Sequence, residues 1–441
     1  MKKQFISCLL AVAALLLPTA LSAQPASWAG HLAATPPQDG DGVVRKWNDN
    51  YVVAAYRHGG KQCLSCVKIA DFLSDTPGAI VNPSADTAEV SDSLTILDMR
   101  ILDDTVFFCG SWDGDAAWGW TPLPFPPAVH VHSIPSPITR LDRMAVYRDG
   151  GAPHVVALGS NALNSFIVEV ADAVRDTLQV NVARMNIVSP DQRDRLDDIA
   201  ELDGLIVVTG RDTRAGTATV SVRMADKATG FIPSPGLTSQ FRFLVAGASL
   251  TGPVLATRSD AAPYFAIACS WRSAADNSTG LRLHRMLPAG LASLQVAGAQ
   301  DVAPTRDVVL QEMTFLDNDR VLLMTQRAEP MTTFLPLTLT AAATYSTYVY
   351  SQYGVHFGSV ARLGGSAFAA WGDTFNLYLQ KASAVSLTCL GVGGVDPAPA
   401  PAATVSRVND PPTKLKFTVV GHCVSASTGW QIVPADCNIT F

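Results

Sequence analysis

Charge is sparse in this chain: Asp, Glu, Lys and Arg make up 16% of its 441 residues, against about 25% in ordinary soluble domains. Much of the sequence must therefore be buried. Acidic residues outnumber basic ones, 38 to 32, and the Lys and Arg are not gathered into a patch, which argues against a nucleic-acid partner. Long apolar runs are also lacking. Past the first 23 residues, no stretch approaches the roughly 18 consecutive apolar residues of a membrane-spanning helix, so no transmembrane anchor is expected. Helical periodicity is nearly absent, which counts against an α/β barrel. No Gly-x-Ser-x-Gly elbow, His-Glu-x-x-His helix or phosphate-binding glycine loop occurs, and no cofactor is implied.

What is present begins with a leader. Met1-Lys2-Lys3 is followed by the apolar run Cys8 to Leu17, then Pro18 and the small residues Leu21-Ser22-Ala23. This pattern reads as a signal peptide over 1–23, giving an exported protein that is periplasmic or extracellular. Cys8 lies inside the apolar run, away from the cleavage point, which speaks against a lipid anchor. Seven of the eight cysteines remain after cleavage, an odd number, so at least one thiol stays outside any set of intramolecular disulfides.

The strongest signal is a repeat. A short apolar or β-branched run recurs as Tyr51–Tyr56, Thr105–Gly110, His154–Gly159, Leu205–Gly210, Tyr264–Cys269, Arg320–Thr325 and Ala367–Gly372, with last residues 47 to 59 positions apart. Upstream of four of them lie Asp98-Met-Arg-Ile-Leu102, Asp198-Ile-Ala-Glu-Leu202, Glu312-Met-Thr-Phe-Leu316 and Ser359-Val-Ala-Arg-Leu363. Between the paired runs sit Asp103-Asp104, Asp203-Gly204, Asp317-Asn318-Asp319 and Gly364-Gly365, residues suited to hairpin turns with positive φ. Downstream, Val67-Lys-Ile-Ala-Asp71, Val168-Glu-Val-Ala-Asp172 and Val222-Arg-Met-Ala-Asp226 are near-copies.

Each unit offers three clear strands and room for a fourth. Four antiparallel strands per repeat is a propeller blade, and radial packing of blades buries both faces of each sheet. The expected fold is all-β: a β-propeller over 24–390 with seven four-stranded blades, centred near 51–71, 98–125, 144–172, 198–226, 264–286, 312–338 and 359–382. Either Trp28 to Ala34 or Ala384 to Leu390 could close the last blade. A Pro/Ala-rich linker is expected over 391–403, followed by a small β-rich extension over 404–441 that docks on the ring or is stapled, with Cys423 and Cys437 as the disulfide candidates.

Over roughly Gly42 to Leu390 this rhythm resembles bacterial secreted β-propellers in general. The Trp-Asp ending of WD40 blades, the double glycine of kelch repeats and the Asp box of sialidases are missing. The resemblance therefore implies a fold, and related architectures serve as binding platforms, glycosidases, lyases and oxidoreductases.

In a propeller the loops from second to third strand share one face with the loops entering the next blade. That places Arg57, Trp112, Arg211, Trp271, Arg272 and Arg327 on a common rim, where guanidinium and indole groups suit planar anionic or sugar ligands. The expected function is an exported binding module whose rim meets a protein or glycan. The alternative is a carbohydrate-active enzyme, a glycosidase or lyase, using the inner-strand carboxylates Asp198 and Glu312. Cys63-Leu-Ser-Cys66 is read as a local disulfide or two thiols, because no second pair stands nearby. His130-Val-His132 puts two imidazoles on one side of a strand, which is not by itself a metal site. Asp39-Gly-Asp-Gly42 and Trp112-Asp-Gly-Asp115 lack the acidic ligand that closes a calcium loop, and both are read as turns.

Overall fold

Two-residue turns with both residues at positive φ organise the chain: Asp103 and Asp104, Asp113 and Gly114, Gly150 and Gly151, and Asp203 and Gly204. Such turns match the right-handed twist of the strands they join, so each folds its flanking runs into a hairpin. The computed structural model describes residues 28–32 and 42–435, apart from 59, 69–85, 92, 125–127, 136, 176, 186, 190–191, 215–216, 233–237, 260–262, 303–307, 316–318, 328–331, 339–344, 351–356, 364–365, 373–376, 384–390, 396, 400–402, 409–411 and 426–431. The leader, the turns at 317–318 and 364–365, the alternative closing segment 384–390 and Cys437 lie outside the described residues.

The fold is all-β and propeller-like, built from antiparallel meanders. The first comprises Gly42–Lys46, Tyr51–His58, Lys61–Lys68 and Asp86–Ser91, and the second Leu94–Leu102, Thr105–Trp112, Asp115–Pro122 and Ala128–Ile134. The third is Arg140–Asp149, Ala152–Ser160, Ser165–Val170 and Thr177–Arg184; the fourth is Gln192–Leu202, Leu205–Asp212, Thr219–Asp226 and Thr238–Leu244. The fifth is Ala248–Arg258, Tyr264–Ser273, Thr279–Ala289 and Ser293–Val302; the sixth is Val308–Phe315, Arg320–Arg327, Thr332–Thr338 and Tyr345–Tyr350. The seventh has three consecutive strands, Phe357–Leu363, Ser366–Gly372 and Leu377–Ser383, and Trp28–Leu32 pairs antiparallel with the last of these. The first strand of each meander packs against the first strand of the next, and that of the seventh packs against that of the first.

The hydrophobic core lies in slabs between successive sheets. Phe107, Trp118 and Phe166 fill the gap between the second and third meanders; Phe243, Phe265 and Met286 fill that between the fourth and fifth. Both faces of a sheet are thus covered, which accounts for the scarcity of charge. Truncating any of these buried aromatics to alanine would cost about 3–5 kcal/mol.

The segment after residue 390 runs around the outside. Gly391–Val395 pairs with the outer strand of the sixth meander, Pro397–Pro399 with that of the fifth and Thr404–Val408 with that of the fourth. Thr413–Ser425 then spans two sheets, pairing first with the outer strand of the third meander and then with that of the second, and fuses them into one nine-stranded sheet. Ile432–Ala435 pairs with Trp28–Leu32. The residues expected as a linker over 391–403 are therefore hydrogen-bonded for much of their length. Along Thr413–Ser425 the alternation is plain: Leu415 and Phe417 pack on the core while Lys414 and Lys416 face solvent, the pattern of a half-buried edge strand.

Candidate functional site

Bulges in the first strands set the geometry where successive meanders meet. The register with the second strand slips at Ile96/Asp98, Leu141/Arg143, Leu196/Asp198, Thr251/Val254 and Leu310/Glu312. At two of these the slip explains a glycine within the facing strand: a Cβ on Gly110 would lie 1.8 Å from the Thr95 carbonyl oxygen, and one on Gly210 would lie 1.9 Å from that of Arg195. A bulge also re-aims the side chain that follows it. Those side chains are Asp98, Arg143, Asp198, Val254 and Glu312, and the matching positions in the first and seventh meanders are Val43 and Ser359.

Four of these groups do the same job. Asp98 Oδ2 accepts the Met144 N–H at 2.9 Å, Asp198 Oδ2 accepts that of Leu255 at 2.8 Å, Glu312 Oε2 accepts that of Val360 at 3.0 Å and Ser359 Oγ accepts that of Val44 at 3.1 Å. Each reaches the first strand of the following meander, and the last joins the seventh to the first. These side chains are ties across the gaps between sheets. Asp98 and Asp198 also accept the N–H of the next residue in their own strands.

Guanidinium groups complete the network. Arg45 Nη2 stands 2.6 Å from Asp98 Oδ1 and 2.7 Å from Glu312 Oε1, so one nitrogen holds both carboxylates together. Arg100 Nη1 donates to Asp98 Oδ1 at 2.5 Å. Arg143 donates to the Gln311 carbonyl oxygen at 3.0 Å and lies 3.8 Å from Asp198. Burial alone would raise Asp98, but Arg100, Arg45, Arg143 and the Met144 N–H hold it below the ordinary carboxylate range. For Asp198, burial outweighs Arg143 and the Leu255 N–H, and its pKa is pushed up to about 6. Desolvation works against the charge of Arg45 too, yet Glu312 and Asp98 hold its pKa above the usual value.

Two residues further along the first strands, the equivalent positions are Arg45, Arg100, Ala145, Ala200, Ala256, Thr314 and Ala361, and all of them line a cavity of about 460 Å³. The alanines leave the space. Ile101, Val146, Met313 and Phe315 add apolar wall, while Lys46, Asp198, Glu201 and Glu312 add charge. The volume falls within the ~300–1,000 Å³ usual for small-molecule sites. The cavity lies toward the turns between first and second strands.

The rim residues chosen from the sequence stand at the other ends of the strands. Arg57 donates to Thr95 Oγ1 at 2.7 Å and to the Gly60 carbonyl oxygen at 2.5 Å. Trp112 meets the ring of His422, on the outer segment, edge-on at 5.1 Å. Arg211 holds Asp197 through Nε at 3.2 Å and Nη2 at 3.3 Å. The Arg282 guanidinium lies over Trp271 at 5.7 Å, while Arg272 is exposed. Arg327 ends its strand, and its side chain lies outside the described residues. The structure brings Asp198 and Glu312 together on one cavity and distributes the six rim residues over five meanders. Sequence reasoning missed Arg45, Arg100 and Arg143; the signal available was that Arg100 sits two places after Asp98 in the repeat.

Other motifs take plain structural roles. His130 stacks on Trp120 at 4.0 Å and His132 on Trp118 at 4.8 Å, as cross-strand pairs. Cys63 and Cys66 are buried in one strand, where residues three apart face opposite sides about 10 Å apart, beyond disulfide reach. Cys109 and Cys269 are free and buried, and burial raises both thiol pKa values, that of Cys269 to about 12. The disulfide proposed between Cys423 and Cys437 falls outside the described side chains. Among the described residues no group of three His, Cys, Asp or Glu side chains could hold a metal ion, and no helix is long and apolar enough to cross a membrane.

No protein family and no curated protein matches the chain. Among solved structures it is similar to the polysaccharide lyase Uly1, with 10% identity and a TM-score of 0.45 over 80% of this chain and 91% of that one. It is also similar to a neuraminidase-like protein from A/bat/Guatemala/164/2009, with 13% identity and a TM-score of 0.40 over 66% and 90%. A third is Drosophila Semaphorin 1b, extracellular domains 1–2, with 8% identity and a TM-score of 0.42 over 80% and 86%.

Proposed function

We propose that the chain is an exported seven-bladed β-propeller, closed by Trp28–Leu32 as the outer strand of the last blade, that works as a binding module for a protein or glycan. The closed ring is supported by the cyclic packing of first strands and by the Ser359 tie from the last meander to the first. Export rests on the leader pattern.

The observation that carries the binding reading is how the axial carboxylates are used. Asp98, Asp198 and Glu312 each hold a backbone N–H of the neighbouring meander, and Arg45 grips two of them. Groups committed to holding sheets together are poorly placed to move protons. The outer strands of the second to sixth meanders, and Trp28–Leu32, are paired with the C-terminal segment, which covers the edges a peptide would use for strand addition. Beside the outer strand of the first meander, Asp86–Ser91, and those C-terminal strands that end their sheets, the loop faces and the axial cavity are the surfaces open to a ligand. A glycan array, together with affinity capture on immobilised protein, tests this: saturable binding that Trp112→Ala or Arg272→Ala weakens is expected. Absence of any glycan or protein ligand in both formats would overturn it.

One observation favours a second reading, a carbohydrate-active enzyme. Asp198 and Glu312 line the same cavity, and Asp198 is lifted to about 6, a value suited to a general acid. That reading requires Asp198→Asn and Glu312→Gln to abolish turnover of a polysaccharide by the folded protein; unchanged turnover in both removes it.

A further inference from the structure

One guanidinium in the axial cavity has bonds to spare. Each of its carboxyl groups is already engaged: Glu312 by Arg45 and the Val360 N–H, Asp198 by the N–H groups of Ile199 and Leu255, and Glu201 by Lys227. Arg45 is fully used as well. Its Nε donates to the Met99 carbonyl, its Nη1 to the Val44 carbonyl and Ser359 Oγ, and its Nη2 to the two carboxylates. Lys46 turns to Asp49 at 2.5 Å.

Arg100 differs. It commits only Nη1, to Asp98 Oδ1 and to the Met99 carbonyl. Its Nε and Nη2 make no hydrogen bond among the described residues, and its side chain keeps 26% exposure where it lines the cavity. Nε and Nη2 form one edge of the guanidinium fork, the edge that grips a planar oxyanion through two parallel bonds. Small residues at Ala145, Ala200 and Ala256 leave room for the body of a ligand, and Phe315 and Val146 offer it an apolar wall.

We propose that the axial cavity binds a small organic oxyanion, a carboxylate, sulfate or phosphate carried on a ring or short chain, through the uncommitted edge of Arg100. The proposal rests on the reading of the ring as a binding module and names the ligand class of its axial site.

The test is calorimetric titration of the full mature chain with glucuronate, with glucose as its uncharged counterpart and inorganic sulfate as competitor. Two variants bracket the site: Arg100→Gln removes the fork, and Ala200→Leu fills the space without touching a charge. The expected result is that glucuronate binds, glucose does not bind at matched concentration and sulfate competes. Each variant should weaken glucuronate by roughly tenfold or more, with Ala200→Leu melting as the parent does and Arg100→Gln, which loses the pairing with Asp98, melting lower. If Arg100→Gln fails to fold, Ala200→Leu alone decides. Equal affinity for glucose and glucuronate, parental affinity in Ala200→Leu or no oxyanion binding at all would overturn the proposal. A positive glycan array or captured partner alongside such a failure would leave the broader binding reading standing, so the two fail separately.

Discussion

Asp98→Asn should cost the fold about 3–5 kcal/mol, the usual penalty for breaking a buried ionic network by removing one member. Asp98 is wholly buried, and its two oxygens face donors only: Arg45 Nη2, Arg100 Nη1 and the Met99 N–H on Oδ1, and the Met144 N–H on Oδ2. An amide has one acceptor, so its NH₂ must point at a donor whichever way it turns. One bond is then lost outright, about 1.5–3 kcal/mol for a charged acceptor, and Arg100 is left without its carboxylate. Urea unfolding followed by tryptophan fluorescence at neutral pH reads the loss as a lower midpoint at unchanged slope. The pH dependence supplies a second check. Because the pKa of Asp98 is held below its ordinary value, its contribution is present above the unfolded-state pKa near ~4 and fades as pH falls through the folded-state value. The deficit of Asp98→Asn should therefore shrink in acid. A variant within about 1 kcal/mol of the parent at neutral pH would refute the view that these carboxylates tie the sheets together.

The opposite slope is expected from the raised acids. Burial lifts Asp198 to about 6 and Glu169, which accepts the N–H groups of Phe231 and Ile232, to about 7. Folding then takes up protons, so the unfolding free energy should fall as pH rises from ~4 to ~7, and Asp198→Asn should flatten the lower part of that slope in urea midpoints measured across the range. Gly210→Ala should cost at least about 1–3 kcal/mol, because its Cβ would meet the Arg195 carbonyl. Gly204→Ala meets no neighbouring atom but sits at φ +82°, and thermal melts should place its cost nearer ~1 kcal/mol. Deleting residues 391–441 should expose the outer strands and produce concentration-dependent self-association in light scattering, with faster hydrogen exchange confined to those strands.

The repeat of hairpins was legible because local sequence carries it. Apolar hexamers and turn residues such as Asp103-Asp104 and Asp203-Gly204 state the hairpin before any long-range contact forms, and the structure places these pairs at positive φ. The pairing of Trp28–Leu32 with Leu377–Ser383 spans almost the whole chain, so the sequence offered two candidate closing strands and no means to choose. The path of the C-terminal segment was hidden for a similar reason. Pro397–Pro399 is too short and too proline-rich to read as a strand, and its partner lies in the fifth meander. At the axis, Asp198 and Glu312 stood out as inner-strand acids, and Asp98 and Ser359 sat in the same repeat position. Their shared task was invisible because the group each one holds is a backbone N–H, which leaves no trace in residue type.

The order in which the outer segment meets the sheets has a consequence for how the fold is assembled. It visits the sixth, fifth, fourth, third and second meanders in turn and then pairs with Trp28–Leu32, retracing the chain from late to early. The segment acts as a hoop around staves: its pairing needs the outer strands of five meanders, so it docks in full only on sheets that have already formed.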